Sequence, residues 1–172
     1  MINRCLPGHG ASCALCCGSH NYALDRELVE EIFLERGLGC PDNPSAHPEG
    51  SSAEKLFPDA MQCVHVGTGA DGRSGVCCLV YASPDRGGEL ESFFNGTCKH
   101  FYCGAWEYLT DGQVEFAARL MGDWYYYSLL LNDIEAVHEL CSAYSRPEDV
   151  PPEKLVELKE ALVEKFLEED GK

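Results

Sequence analysis

Three thiols lie within five residues in Cys13-Ala14-Leu15-Cys16-Cys17, and these are the side chains of the sequence best placed to do chemistry together. Thiols this close rarely all pack as small apolar groups. Two residues between Cys13 and Cys16 let both sulfurs turn toward one point, the bite used for a soft metal ion or cluster. Cys16 and Cys17 are adjacent, and neighbouring side chains tend to diverge. One of them is therefore expected at that first site, and the other at a second site or in the core.

The chain holds eleven cysteines in 172 residues. Their odd number, the lack of an apolar leader at Met1 to Gly8 and the tight cluster favour metal thiolates in a reducing compartment over a disulfide framework. A cytoplasmic location is the expectation. Asn95-Gly96-Thr97 then reads as a turn and not a glycan acceptor.

A formal charge of −16 argues against a phosphate-binding surface, so neither nucleic acid nor an anionic membrane is expected as a partner. No stretch is long and apolar enough to span a bilayer. No Ser or Cys nucleophile with a recognisable base and no phosphate loop is evident. Gly67-x-Gly69-x-x-Gly72 has dinucleotide spacing, but turn residues follow it where a helix would be needed.

The elements that must position the thiols follow from periodicity. Residues 1–22 read as an irregular loop folded around metal. Leu28, Val29, Ile32 and Phe33 share one helical face after Asp25 as N-cap, and Gly37-Leu38-Gly39 is expected to stop that helix. Residues 38–61, with four prolines, form a surface excursion. Two short apolar runs, Cys63 to Val66 and Val76 to Tyr81, predict a hairpin, and a second excursion covers Ser83 to Gly96.

After Cys103 everything reads as helix. Thr110-Asp111-Gly112-Gln113 is a capping box before Val114, Ala117, Ala118 and Met121. Gly122-Asp123 restarts or bends the chain into Trp124 to Leu131. Ile134, Val137, Cys141 and Tyr144 mark a further face, and a last helix begins near Pro151. The aromatics Trp124 to Tyr127 read as core and rim packing. The fold class is thus mainly α with a small irregular, hairpin-containing cysteine-rich region organised by metal, an α+β-like small domain. Residues 1–104 form the cysteine-cluster region and 105–172 a helical layer packed on it, one domain overall.

The ordered set Cys13, Cys16, Cys17, Cys63, Cys78, Cys98 and Cys103, with Cys5 and Cys77 as extras, resembles the CxxCxxCC family of zinc- or iron-chelating domains. That family includes the cysteine-cluster domain of flagellin lysine N-methylases. Its opening Cys-x-x-Cys-x-x-Cys-Cys is matched in its last three thiols, and a helix follows. Cys63 resembles the family's lone cysteine, Cys78-Leu79-Val80-Tyr81 its Cys-x-x-Tyr, and Cys98-Lys99-His100-Phe101-Tyr102-Cys103 its closing element, with Lys for Arg. The resemblance covers residues 5–103.

Gly10 stands where the first family cysteine belongs, so another donor must complete the shell. Cys5 is the natural substitute, with His9 or Cys77 behind it, and Gly8 and Gly10 supply the flexibility to bring it back. The metal ligands expected are Cys5, Cys13, Cys16, Cys17, Cys63, Cys78, Cys98 and Cys103. Cys40 and Cys141 read as small buried hydrophobes, and His65 and His100 as packed or hydrogen-bonded side chains and not ligands.

All-thiolate ligation suits both zinc and a 4Fe–4S cluster. The resemblance to the methylases favours iron–sulfur. The leading expectation is a metal-binding protein whose thiolate site organises the fold, with a redox or metal-handling role. The alternatives are a protein-modifying enzyme distantly like the methylases, and a structural zinc module that presents an acidic helical face to another protein.

Overall fold

The computed structural model describes residues 1–38, 53–69, 75–79, 96 and 98–169. Cys40, the prolines from Pro41 to Pro48, residues 70–74 with Gly72, Tyr81 and the expected excursion from Ser83 to Asn95 lie outside these residues. Among those described, the chain is mainly helical with one small antiparallel hairpin. It divides into two compact units, Met1–Cys13 with Cys103–Lys172, and Ala14–Tyr102.

The first unit contains helices α2 (Gly104–Tyr108), α3 (Asp111–Met121), α4 (Trp124–Asn132), α5 (Ile134–Ala143) and α6 (Pro152–Glu169). Their starts are chemically specified. Thr110 and Gln113 form the reciprocal capping box of α3, while Asp123 and Asp133 accept from the N–H groups of Tyr126 and Ala136. Gly122 ends α3 in the left-handed region, and Asp123 then caps α4, so the chain stops and restarts there.

Helix α4 packs against α2, α3, α5 and α6. A helix contacted on so many sides should be apolar nearly all round, and its sequence Trp-Tyr-Tyr-Tyr-Ser-Leu-Leu-Leu-Asn is. Tyr127 and Leu130 are completely buried, with Leu131, Val114, Ala117 and Val137 beside them in the core of the unit. Each such aliphatic side chain contributes about 1.5–3 kcal/mol relative to exposure.

Residues 1–13 are tied onto these helices by polar anchors. The buried Arg4 donates to Asp111 Oδ1 and the Ile2 carbonyl at 2.7 Å and to the Leu109 carbonyl at 2.9 Å. Its guanidinium also lies 4.8 Å from the centre of the Trp106 ring. Tyr127 donates to the Arg4 carbonyl, and Ser128 to that of Ser12. Residues 1–13 are therefore specified by these partners as well as by the thiols.

In the second unit, helix α1 (Arg26–Leu38) packs on strand β1 (Val66–Thr68), which pairs antiparallel with β2 (Val76–Cys78). Val66 faces Cys78, Gly67 faces Cys77, and Thr68 faces Val76. The strands differ from the expected runs: Cys63 to His65 form a turn, and β1 begins only at Val66. The helix ends at Leu38, within the Gly37-Leu38-Gly39 stretch expected to stop it. Phe33 and Val29 are buried as expected, whereas Leu28 is 46 % exposed. The buried stripe of α1 is thus narrower than its apolar pattern, because the small hairpin covers only part of the face.

Tyr22 packs edge-on to Phe33, with ring centres 5.5 Å apart. Arg36 joins the two elements by donating to the Tyr22 hydroxyl at 2.9 Å and to the Val66 carbonyl.

Candidate metal centre

In the second unit the first short turn, Leu15–Cys17, is a 3-10 helix closed by Gly18 in the left-handed region at φ 79°. A 3-10 turn with this exit does not splay its two adjacent thiols. The Sγ atoms of Cys16 and Cys17 stand 3.9 Å apart, which overturns the expectation that the pair diverges. The tighter winding, about three residues per turn, is the physical reason that extended-chain intuition fails here.

Cys63 reaches the same turn through the backbone, since its N–H donates to the Cys17 carbonyl at 2.9 Å. The segment that delivers it is held by Asn21. The Asn21 amide donates to the carbonyls of Phe57, Ala60 and Met61 and accepts from the Phe57 N–H at 2.8 Å. Gln62 returns a hydrogen bond to the Asn21 carbonyl at 2.7 Å. Sequence reading missed both residues. A buried Asn flanked by His20 and Tyr22 has no pattern of its own, because its partners lie in an aperiodic loop.

The hairpin sorts its two cysteines by the alternation of a strand. Cys77 is buried in the core at 1 % exposure, while Cys78 is only partly buried. Cys98 begins a second 3-10 turn, Cys98–His100, and His100 is exposed.

Electrostatics ties these thiols together. The Cys17 S–H donates to Cys16, which lowers the Cys16 thiol to about 7 against the opposing effect of burial. Cys17 moves the other way: it supplies the proton, it is buried, and negative charge on Cys16, Cys63 and Cys78 opposes its ionisation. Burial pushes Cys63 up, opposed by the backbone N–H of His65, with charge on Cys98 and Cys16 adding to the rise. Burial, and then Cys16, likewise raises Cys98. Cys16, Cys17, Cys63, Cys78 and Cys98 therefore influence one another within a single unit.

The first unit holds Cys5, Cys13, Cys103 and Cys141. Gly8-His9-Gly10-Ala11 is a two-residue hairpin turn, closed by the Ala11 N–H on the Gly8 carbonyl at 3.0 Å, with φ of 59° at His9 and 77° at Gly10. This reversal lays the chain back on itself so that the Cys13 N–H donates to the Cys5 carbonyl at 2.9 Å. The Asn132 amide points to Cys13 Sγ at 3.9 Å. Cys103 is the N-cap residue of α2. The Tyr127 hydroxyl is pushed up by burial and then by charge on Cys13, Cys5 and Cys103. Cys141, on α5, is half-buried, and burial raises its thiol.

Of the two motif pairs expected to share a bite, Cys13 and Cys103 belong to the first unit, and Cys16 and Cys98 to the second. Among the described residues the cysteines are thiols, with no disulfide. As these side chains stand, no three His, Cys, Asp or Glu among the described residues are close enough to hold a metal ion. The donor chemistry nonetheless fits one. Two thiolates on a single zinc, at about 2.3 Å each and tetrahedral, lie about 3.8 Å apart, close to the 3.9 Å between Cys16 and Cys17.

No helix among the described residues is long and apolar enough to cross a membrane. No protein-family model matches the chain, and neither does any curated protein or solved structure.

Proposed function

We propose that this chain is a cytoplasmic cysteine-cluster metal-binding protein, with a thiolate centre that organises its fold and carries a redox or metal-handling role. The observation that supports this most directly is the pair of free thiols Cys16 and Cys17 at 3.9 Å, with Cys63 hydrogen-bonded through its backbone to the same turn. Several partly buried sulfurs that hinder one another's ionisation are costly to ionise alone. A bound cation relieves that repulsion and deprotonates them.

The ligands in this reading are Cys16, Cys17, Cys63 and Cys78 with Cys98 nearby, and Cys5, Cys13 and Cys103. When bound, the metal supplies either a structural cross-link or, as a cluster, one-electron chemistry. The resemblance to the CxxCxxCC domains and the methylases favours a 4Fe–4S cluster. The 3.9 Å spacing of Cys16 and Cys17 favours zinc at that pair, because cluster ligands attach to separate irons and stand further apart. A net charge of −16 is consistent with a metal and another protein as partners, and opposes nucleic acid.

The test is elemental analysis of protein purified without oxygen, together with its visible absorption. Stoichiometric zinc in a colourless protein supports the ion. Iron with acid-labile sulfide and a broad visible charge-transfer band supports the cluster. Protein with neither metal, which also fails to take up zinc or iron after reduction, overturns the proposal.

A further inference from the structure

We infer that Cys16 and Cys17 form a dithiol site for a monosubstituted trivalent arsenical, a compound R–As(OH)2 that both sulfurs chelate. The inference goes beyond the metal reading and does not depend on it, since it asks for two reduced thiols and no ion.

Geometry within one turn sets the site. The two Sγ atoms stand 3.9 Å apart, with Cys16 exposed and Cys17 partly buried. A small solute therefore reaches the first sulfur from solvent and finds the second beside it. The backbone beneath the pair is pinned. The Cys17 N–H donates to the Ala14 carbonyl at 3.0 Å, the Gly18 N–H to that of Leu15 at 2.8 Å, and the Cys63 N–H to that of Cys17 at 2.9 Å. The other adjacent pair, Cys77-Cys78, shows what the 3-10 turn adds. On β2 neighbouring side chains leave opposite faces, and Cys77 lies in the core while Cys78 is partly buried. That pair offers no common point for a single atom.

The same pinning opposes a disulfide between Cys16 and Cys17. Its sulfurs would have to close to about 2.05 Å, and between adjacent residues the bond forms a small ring that twists the peptide plane. Strain of that kind makes a disulfide easily reduced. The pair thus persists as a dithiol, the form that binds thiophiles.

The ligand class follows from the number of donors. As the side chains stand, no three His, Cys, Asp or Glu among the described residues are close enough to hold a metal ion, whereas these two sulfurs adjoin. Monosubstituted trivalent arsenic needs two sulfurs only, because it keeps its carbon substituent. Thiolates are soft donors and trivalent arsenic is a soft acceptor. Two As–O bonds break and two As–S bonds form, and each thiol proton leaves with a displaced hydroxyl as water. Arsenic stays trivalent, so no oxidant or reductant takes part. R–As(OH)2 is uncharged, and a chain of formal charge −16 does not repel it as it would an anionic thiophile.

Titration of the reduced, metal-free full-length chain with phenylarsine oxide tests this, read as protection from iodoacetamide in peptide mass mapping. The first equivalent should protect Cys16 and Cys17 together, and should yield to dithiothreitol but not to the same concentration of mercaptoethanol. Cys16→Ser and Cys17→Ala should each weaken it about 100-fold, because the remaining sulfur loses the effective concentration of its neighbour. Cys63→Ser separates a pair from a three-thiol centre, and binding should survive it. Far-UV circular dichroism checks the fold, and Cys16→Ser, at an exposed side chain, reports even if Cys17→Ala disturbs the turn. Tight binding that persists in Cys16→Ser overturns the inference. Loss in Cys63→Ser also overturns it, as does a first equivalent that maps to Cys77 and Cys78 or bridges Cys13 and Cys16. Zinc and iron uptake are measured separately, so the metal reading and this one can each fail alone.

Discussion

Tyr127 donates its buried hydroxyl to the main-chain oxygen of Arg4 at 2.8 Å, across 123 residues of sequence. The bond fastens the stretch that carries Cys5 and Cys13 to the central helix of its unit. Tyr127→Phe keeps the ring and removes the donor, which leaves a buried carbonyl unsatisfied. The expected loss is about 1–3 kcal/mol, read as a lower urea midpoint with unchanged helix content. Amide exchange of residues 4–13 should quicken in the same variant. An unchanged midpoint would mean that residues 1–13 are held in some other way.

The position of Gly10 can be tested directly. Its φ is +77°, and a Cβ added there would lie 2.8 Å from the Gly122 carbonyl oxygen. Gly10→Cys, which restores the opening cysteine of the resembled family, should destabilise the chain by more than about 1 kcal/mol. It should also fail to recover metal lost in Cys5→Ala. Gly112→Ala, with nothing within 4 Å of the added carbon, is the control expected to be neutral or slightly stabilising. Chemical denaturation compares the two. A stable, metal-restoring Gly10→Cys/Cys5→Ala protein would contradict the turn described here.

Cys16 gives a pH signature in the reduced, metal-free protein. Its thiol is lowered to about 7 because the Cys17 S–H donates to the thiolate. Below that pH both groups are protonated, and above it Cys16 alone carries charge. Alkylation of Cys16 by iodoacetamide, mapped by mass spectrometry, should therefore rise through about pH 7. Cys17→Ala removes the donor and returns Cys16 toward the ordinary thiol value of about 8.5. The modification rate at pH 7 should then fall several-fold. A rate that stayed the same would show that Cys17 does not act on Cys16.

Metal removal should act unevenly along the chain. Residues 14–20, 63–69 and 75–78 rest on short turns and a three-residue hairpin, whereas residues 4–13 also hold hydrogen bonds to α3, α4 and the segment between α2 and α3. Chelation should accelerate hydrogen exchange in residues 14–20, 63–69 and 75–78 most, with α3 to α5 nearly unaffected. Equal acceleration throughout would show that the helices depend on the metal as well.

The helical part of this fold was readable because each signal was local. The capping box at Thr110 and Gln113, the stop at Gly122 and the apolar spacing of α3 all lie within a few residues of what they control. The cysteine-rich part was less readable for the opposite reason. Asn21, Gln62, Arg4 and Asn132 act on segments far away in sequence, and none carries a periodic or motif signal. The closeness of Cys16 and Cys17 carried no spacing signal either, because it depends on the tight winding of the 3-10 turn. Leu28 was misread because periodicity reports which residues could be buried, not how much surface exists to bury them.

Gly18 has no side chain with which to hold a metal, yet a side chain on it would run into the Met61 carbonyl, directly against the backbone that presents Cys63 to Cys17. A substitution there would push two thiol-bearing strands of backbone apart without removing a single sulfur. In a mutational scan scored by metal content, this glycine would be indistinguishable from a ligand. Separating the two classes needs a readout of sulfur contact, such as X-ray absorption at the metal edge, and not of metal retention alone.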